Sequence, residues 1–432
     1  MDPVFDAQYR AMKDSFYREN IEIEVAYTPD DEVDYVYVVG RLLAVDSDDN
    51  VARLQAILPG LRRVDPKAQP GSGDLVTLSI NHLEGGYLTV PEALNLVDEH
   101  LGRGNPALAK GGEPLATPIH IVHIARLCNP IEPEVPSGSP TQPSPTSTRR
   151  LAGEARDPAG EARDPAGEAR DGARLAISDT GLLEELDFAR FPWLAGVDGE
   201  PDRLGPVLPS GLPSIPEFAG HGTFVAGVAR SVAPGATVHV SNHFRNTGGV
   251  TEDAIIRRLE RLIAHQSPDV INFSAGTYTR KNWAPLGFNH FRRRHPEVTL
   301  VAAAGNDSTD RKFYPAALPW AVSVGALGAD QLHRAWFSNY GEWVDMYAPG
   351  EGLVNVYATG EYTYREPPKR PATQTFDGMA RWDGTSFSTA LVAGRIAAEM
   401  ARPRVSAQDA AEEARRAART QEIGGVGPVL LP

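Results

Sequence analysis

"TEDAIIRRLERLIAHQSPDVINFSAG", residues 251–276, changes its hydrophobic period part-way along. In the first part Ile255, Leu259 and Leu262 share one face of a helix, Thr251 stands where a cap belongs, and Glu252 and Asp253 suit the positive end of the helix dipole. The second part, "DVINFS", is a short apolar run of strand character. Moving outward, "RLAIS" (174–178) and "TVHVS" (237–241) precede this unit, and "VTLVAAAG" (298–305) and "WAVSVGAL" (320–327) follow it. Near-continuous apolar strands alternating with amphipathic helices predict an α/β architecture: a mainly parallel sheet with helices on both faces. In such sheets ligands bind beyond the carboxyl ends of the strands. The residues that follow each strand therefore need a chemical explanation.

The chain has 432 residues, 41% hydrophobic and 23% charged, enough for more than one core. A formal net charge of -14 argues against a nucleic-acid backbone or an anionic membrane surface as partner. The densest basic cluster, "FRRRH" (291–295), reads as the solvated end of a helix. Cys128 is the only cysteine, so no intrachain disulfide forms. With no apolar leader at the N-terminus and no apolar run of membrane-spanning length, the expected location is cytoplasmic.

Composition shifts abruptly after Pro130. "PIEPEVPSGSPTQPSPTSTRR" (130–150) leads into three near-copies of "AGEARDP", rich in Gly and Pro. That density breaks helices, and the apolar content is too small to offset ordering entropy. Residues 131–172 are expected to be a flexible linker tolerant of length changes, between an N-terminal domain (1–130) and a C-terminal domain (173–432). In the N-terminal part "DYVYVVGRLLAV" (34–45), "DLVTLSI" (74–80), "GGYLTV" (85–90) and "PIHIVHIA" (118–125) read as strands. "NVARLQAIL" (50–58) and "PEALNLVDEHLG" (91–102) read as helices. That order is a ferredoxin-like α+β unit. His120 and His123 read as ordinary strand residues rather than metal ligands.

Four polar residues stand at the ends of apolar runs in the C-terminal part. Asp179 follows "RLAIS", His221 lies in "GHGTFVAGVA", Asn306 follows "VTLVAAAG", and Ser386 lies in "GTSFSTALVAGRIAAEM". Singly each is weak. "DTG" also marks aspartic proteases, but this chain has one such triplet, and that chemistry leaves His221 and Ser386 without a role. Together they supply an acid, a base and a nucleophile. A serine hydroxyl needs a base to remove its proton, and that base needs an acceptor to hold its tautomer.

These segments, with "VINFSAG" (270–276) and "AWFSNYGEWVDMYAPG" (335–350), closely resemble the signatures of subtilisin-like serine proteases, in which the triad runs Asp, His, Ser. The resemblance covers about residues 173–400. The N-terminal part resembles a subtilase propeptide only in element order. The resemblance implies a subtilisin-like fold and a serine endopeptidase: Ser386 as nucleophile, His221 as general base and acid, Asp179 as its orienter, and Asn306 with the Ser386 N–H as oxyanion hole. It further implies that an extended peptide or protein substrate lies between edges at Gly248–Gly249–Val250 and Ser274–Ala275–Gly276. The element order and position of the N-terminal domain suggest that it docks on the catalytic one as a propeptide would, the alternative being a domain that recruits substrate or a regulatory partner. Ala390 stands where the family usually has proline, and Phe224 where it often has a second histidine. No cofactor is required by this chemistry, and no ligands can be matched to the family's calcium sites. A catalytically silent peptide-binding scaffold of the same fold, or an esterase using the same triad, remain alternatives.

Overall fold

The computed structural model describes residues 3–65, 74–83, 86–100, 114–124, 132–137, 142–143, 172–244, 248–365 and 369–431. The "AGEARDP" repeats and the Arg149–Arg150 pair lie outside the described residues.

The N-terminal unit runs α1 (Pro3–Arg18), β1 (Ile23–Tyr27), β2 (Val33–Val45), α2 (Asp48–Ile57), β3 (Arg62–Arg63), β4 (Leu75–Ser79), α3 (Val90–His100), β5 (Ala116–Ile124). Its sheet order is β5-β2-β4-β3, all antiparallel, with β1 pairing the first half of β2. This is the ferredoxin-like arrangement, extended at its start by α1 and β1. One strand assignment is corrected. Residues 86–90 do not form the strand read from "GGYLTV"; the two-residue β3 takes that place. Thr89 instead caps α3: its N–H donates to Glu92 Oε2 at 2.8 Å, and Glu92 N–H donates back to Thr89 Oγ1 at 3.4 Å. This reciprocal pair starts a helix at Val90.

The second unit contains β6 (Arg174–Asp179), β7 (Leu182–Leu183), β8 (Val197–Gly199), β9 (Pro201–Asp202), α4 (His221–Val232), β10 (Thr237–Asn242), β11 (Gly249–Thr251), α5 (Glu252–Gln266), β12 (Val270–Phe273) and β13 (Ala275–Gly276). After these come α6 (Leu286–Arg294), β14 (Thr299–Ala303), β15 (Val322–Leu327), β16 (Met346–Pro349), β17 (Leu353–Thr363), β18 (Thr373–Trp382), α7 (Thr385–Glu399) and α8 (Ala407–Thr420). The sheet order β16-β15-β14-β12-β6-β10-β8 is parallel throughout. Alternate strand residues enter opposite cores. Leu175, Ile177, Val270 and Val301 join the cluster under α4, α7 and α8, whereas Ala176, Ile271, Phe273 and Leu300 join the one under α5 and α6. Both faces are therefore dry, which is why these strands read as apolar runs rather than alternating ones. Fully burying a side chain such as Ile177 or Ile271 contributes about 1.5–3 kcal/mol.

At α5 the sequence reading needs a second correction. Thr251 occupies the N-cap but its side chain makes no capping hydrogen bond. Glu252 is not a solvated dipole partner. It is fully buried; Oε2 lies 2.7 Å from His120 Nδ1 of β5, and Oε1 accepts from Gly287 N–H at 2.7 Å.

The two units meet through a shared sheet. β5 inserts antiparallel between β11 and β13, with Ile121, Val122 and His123 opposite Thr251, Val250 and Gly249, and with His123 and Ile124 opposite Gly276 and Ala275. Arg280, with Asn95 and Asp98, and Arg311, with Asp34 and the Val33 carbonyl, add polar contacts at the same junction. The first described residues of the 131–172 segment contact the second unit. Residues 132–134 are strapped to the β17–β18 hairpin by side-chain and backbone hydrogen bonds.

Candidate active site

β6 delivers Asp179 to the carboxyl edge of the sheet, fully buried. Its Oδ1 accepts two hydrogen bonds, from the Thr180 N–H at 2.8 Å and from His221 Nδ1 at 2.7 Å. His221 opens α4, whose N-cap Gly220 adopts φ 82, ψ -6. A side chain there is strained by the left-handed backbone, and its Cβ would lie 2.9 Å from the Tyr357 ring. With Nδ1–H engaged by the carboxylate, Nε2 is left as the basic nitrogen. The imidazole is held by aromatic edges: Trp382 packs T-shaped at 5.3 Å between centroids and Phe387 at 5.4 Å. Phe224 fills the space behind, 4.5 Å from Phe387, so its aromatic ring is part of the support for the histidine.

Ser386 sits in the first turn of α7, 2% exposed, next to the Phe387 that touches His221. Among the described residues no hydrogen bond joins its hydroxyl to His221. Such contacts are often long without substrate and tighten in the reacting complex. Asn306 follows β14 and is 3% exposed. Its Oδ1 accepts from the Thr385 N–H at 3.0 Å and the Thr385 hydroxyl at 2.8 Å, which fixes the carbonyl end of the amide and turns the NH2 end away from Thr385. The Ser386 N–H is a first-turn amide with no partner inside its helix. Ser274 Oγ approaches the Ser386 carbonyl at 3.5 Å, which ties the end of β12 to the same place. Asp179, His221, Asn306 and Ser386, far apart in sequence, thus stand on neighbouring strand ends and helix starts.

Asp202 was not legible in the sequence. It lies on β9 in a "PD" pair that matches no motif. Its Oδ2 accepts from the Gly220 N–H at 2.7 Å and the Thr180 hydroxyl at 3.0 Å, and Thr180 Oγ1 accepts from the Gly222 N–H at 3.0 Å. The carboxylate thereby links the loop after Asp179 to the start of the His221 helix, at the wall of a cleft of about 550 Å³. Burial pushes its pKa up to about 6, against the pull of the hydrogen bonds from Gly220 and Thr180. That value lies above the unfolded one, so the contribution to stability is full below about pH 4 and declines as pH rises through 6. Asp202→Asn keeps an acceptor without the charge. It should match the wild type at about pH 3.5 and exceed it at pH 8 by up to about 3 kcal/mol. Thermal unfolding at the two pH values checks this, and a gap that does not widen toward pH 8 contradicts it.

The groove residues from the sequence reading line β5. Gly249, Val250, Ala275 and Gly276 pair with it directly, and Gly248 precedes β11 with φ 69. At Gly276 the demand for glycine comes from behind: a Cβ would lie 2.3 Å from the Phe313 ring and 2.6 Å from the Tyr314 carbonyl oxygen. His123, fully buried beside Phe313, has its pKa lowered to about 4 by desolvation. Among the described residues no group of three or more His, Cys, Asp or Glu is placed to hold a metal ion. Nor is any described helix long and apolar enough to cross a membrane.

Residues 171–425 match the model of the subtilase family, peptidase S8. The chain belongs to that family. Among curated subtilases it is 32% identical over 232 residues to "Extracellular serine proteinase" of Thermus sp. (strain Rt41A), covering 52% of this chain and 50% of the relative. It is 28% identical over 235 residues to "Subtilisin Savinase" of Lederbergia lenta, covering 52% and 75%. The chain spans about half the length of the first of these relatives and of several others. Among solved subtilase structures, fervidolysin from Fervidobacterium pennivorans, "a keratinolytic enzyme related to subtilisin", aligns at TM-score 0.53 and 19% identity over 91% of this chain and 60% of that one. At that identity the likeness is one of fold. Its reach takes in the N-terminal unit of this subtilase as well as the parallel sheet.

Proposed function

We propose that this chain is a serine endopeptidase whose N-terminal unit occupies its own substrate groove. Ser386 attacks the peptide carbonyl while His221 Nε2 takes its proton, and the same nitrogen later protonates the leaving amine. Asp179 keeps Nδ1 protonated and stabilises the imidazolium. The tetrahedral oxyanion is received by the Asn306 amide and the Ser386 N–H, at the positive end of α7. The observation that carries this reading is the 2.7 Å hydrogen bond from His221 to the buried Asp179, on a helix whose histidine touches the residue after Ser386. A substrate takes the place that β5 now fills, adding a strand between β11 and β13; main-chain pairing gives affinity and the flanking pockets give sequence preference.

A fluorophosphonate probe should label the enzyme at Ser386 once the groove is open, and absence of label under conditions in which peptides are cleaved overturns the assignment. Asn306→Ala should lower kcat by roughly 10²–10³, the loss known for the corresponding amide of subtilisin, a relative. The buried Thr385 N–H and hydroxyl also lose their acceptor, so stability should fall by about 1–3 kcal/mol. Steady-state kinetics beside denaturant unfolding separates the two effects. Unchanged kcat would remove Asn306 from the oxyanion hole.

A further inference from the structure

β5 accounts for only one side of the catalytic centre. It ends at Ile124, opposite Ala275, next to the Ser274 that approaches Ser386. The chain is described again at Glu132, on the other side. There Glu134 forms an antiparallel bridge with Arg381, donating and accepting backbone hydrogen bonds of 2.7–2.8 Å. The next residue along β18 is Trp382, the ring against His221. Glu132, 5% exposed, accepts through Oε1 from the Tyr362 hydroxyl at 2.8 Å and the Arg365 N–H at 2.9 Å. The Pro133 carbonyl accepts from the Tyr364 hydroxyl at 3.0 Å. Glu134 Oε2 accepts from the Arg381 guanidinium at 2.6 Å and Oε1 from the Lys369 ammonium, which hold its carboxyl below the usual range.

This is strand addition with a side-chain code. Two carboxylates spaced i, i+2 point into one hairpin that offers a buried hydroxyl and backbone N–H to the first, and two cations to the second. Proline between them has no N–H to satisfy, and only its carbonyl is used. Lys369 and Arg381 converge on Glu134 from the two ends of the hairpin's second half. We propose that the β17–β18 hairpin is a recognition site for an acidic Glu-x-Glu segment on the C-terminal side of the bond to be cleaved, and that residues 132–134 hold it in the resting chain. The proposal deepens the protease reading and rests on it for the direction in which substrate runs. β5 stands for the part before the scissile bond, and the Glu132–Glu134 segment for the part after it. Preferred substrates then carry two acidic residues, one apart, downstream of the cut.

The test uses the full chain in a Ser386→Ala background, so that binding is read without turnover. The probes are fluorescein-labelled Ile-Glu-Pro-Glu-Val-Pro, the sequence of residues 131–136, and its counterpart with both glutamates changed to glutamine. With Glu132→Ala and Glu134→Ala in the chain, polarisation should show the acidic probe binding about tenfold tighter than the glutamine probe, in line with one buried carboxylate and one half-exposed, charge-assisted carboxylate contact. Adding Lys369→Ala and Arg381→Ala should shrink the gap to the share carried by the first glutamate at the Tyr362 hydroxyl and the Arg365 N–H. If the doubly substituted segment does not fold, Glu134→Gln alone should give the same ranking with a smaller gap. Equal binding of the two probes, or a preference undiminished by loss of Lys369 and Arg381, overturns the site. Active chain that cleaves peptides without such a preference sinks this proposal alone. A preference in a chain that never cleaves peptides sinks the protease reading and leaves the acidic site standing.

Discussion

Ser386→Ala should fold normally and lose on the order of 10⁶-fold in turnover, a magnitude that comes from nucleophile loss in subtilisin, a relative of this chain. The folding half follows from the surroundings. The Ser386 hydroxyl makes no hydrogen bond to His221 among the described residues, the position lies in the first turn of α7, and alanine is the best helix former. Little stability therefore depends on the hydroxyl. The kinetic half follows from its chemistry: without Oγ there is no acyl-enzyme, and only the oxyanion donors and the groove remain to speed the attack of water. Intact-mass measurement extends the same experiment. If the enzyme cuts its own chain after β5, the wild type should lose mass and Ser386→Ala should stay at full length. Full-length protein in both would mean that the groove opens by movement of the N-terminal unit instead. A variant that retains more than about a thousandth of wild-type turnover would displace Ser386 from the role of nucleophile.

The parallel sheet was legible because its signal is local. Each strand is a short apolar run and each helix a 3.6-residue pattern, and both are set by what lies on the two faces of the sheet. The residues at strand ends were legible for a related reason: Asp179 and Asn306 interrupt apolar runs at the point where backbone leaves the sheet. What was hidden depends on partners far away in sequence. Glu252 reads as a first-turn acid on any helix, and only the docking of His120 from β5 makes it a buried pair. Thr89 was hidden by its apolar neighbours, which resemble strand until Glu92 is seen to close the cap. Glu132 and Glu134 sit in a Pro- and Ser-rich stretch whose composition argues for a tether, yet three residues of it find complementary groups on a hairpin more than two hundred positions away. Composition describes how a segment behaves alone. It is silent on a surface waiting elsewhere.

Asp179→Asn should lower kcat by up to about 10⁴, the cost of losing the corresponding carboxylate in subtilisin, a relative of this chain, with the histidine still in place. The geometry decides which way the new amide turns. Oδ1 accepts from both the Thr180 N–H and His221 Nδ1–H, so an NH2 group there would face two donors. The amide oxygen must therefore stay at that position, and the tautomer of His221 is preserved. The NH2 group then takes the place of Oδ2, which is buried and has no hydrogen-bond partner among the described residues. Two losses follow. The negative charge that stabilises the imidazolium in the transition state is gone, which is the kinetic loss. A buried donor is also left unsatisfied, which should lower stability by about 1–3 kcal/mol. The two can be told apart, since the charge acts only while His221 carries the extra proton. Substrate KM should stay within a few-fold of the wild type while kcat collapses, and the unfolding midpoint should fall at pH 8. A variant with near-normal kcat would mean that holding the imidazole in place is the whole contribution of Asp179 and that its charge contributes little.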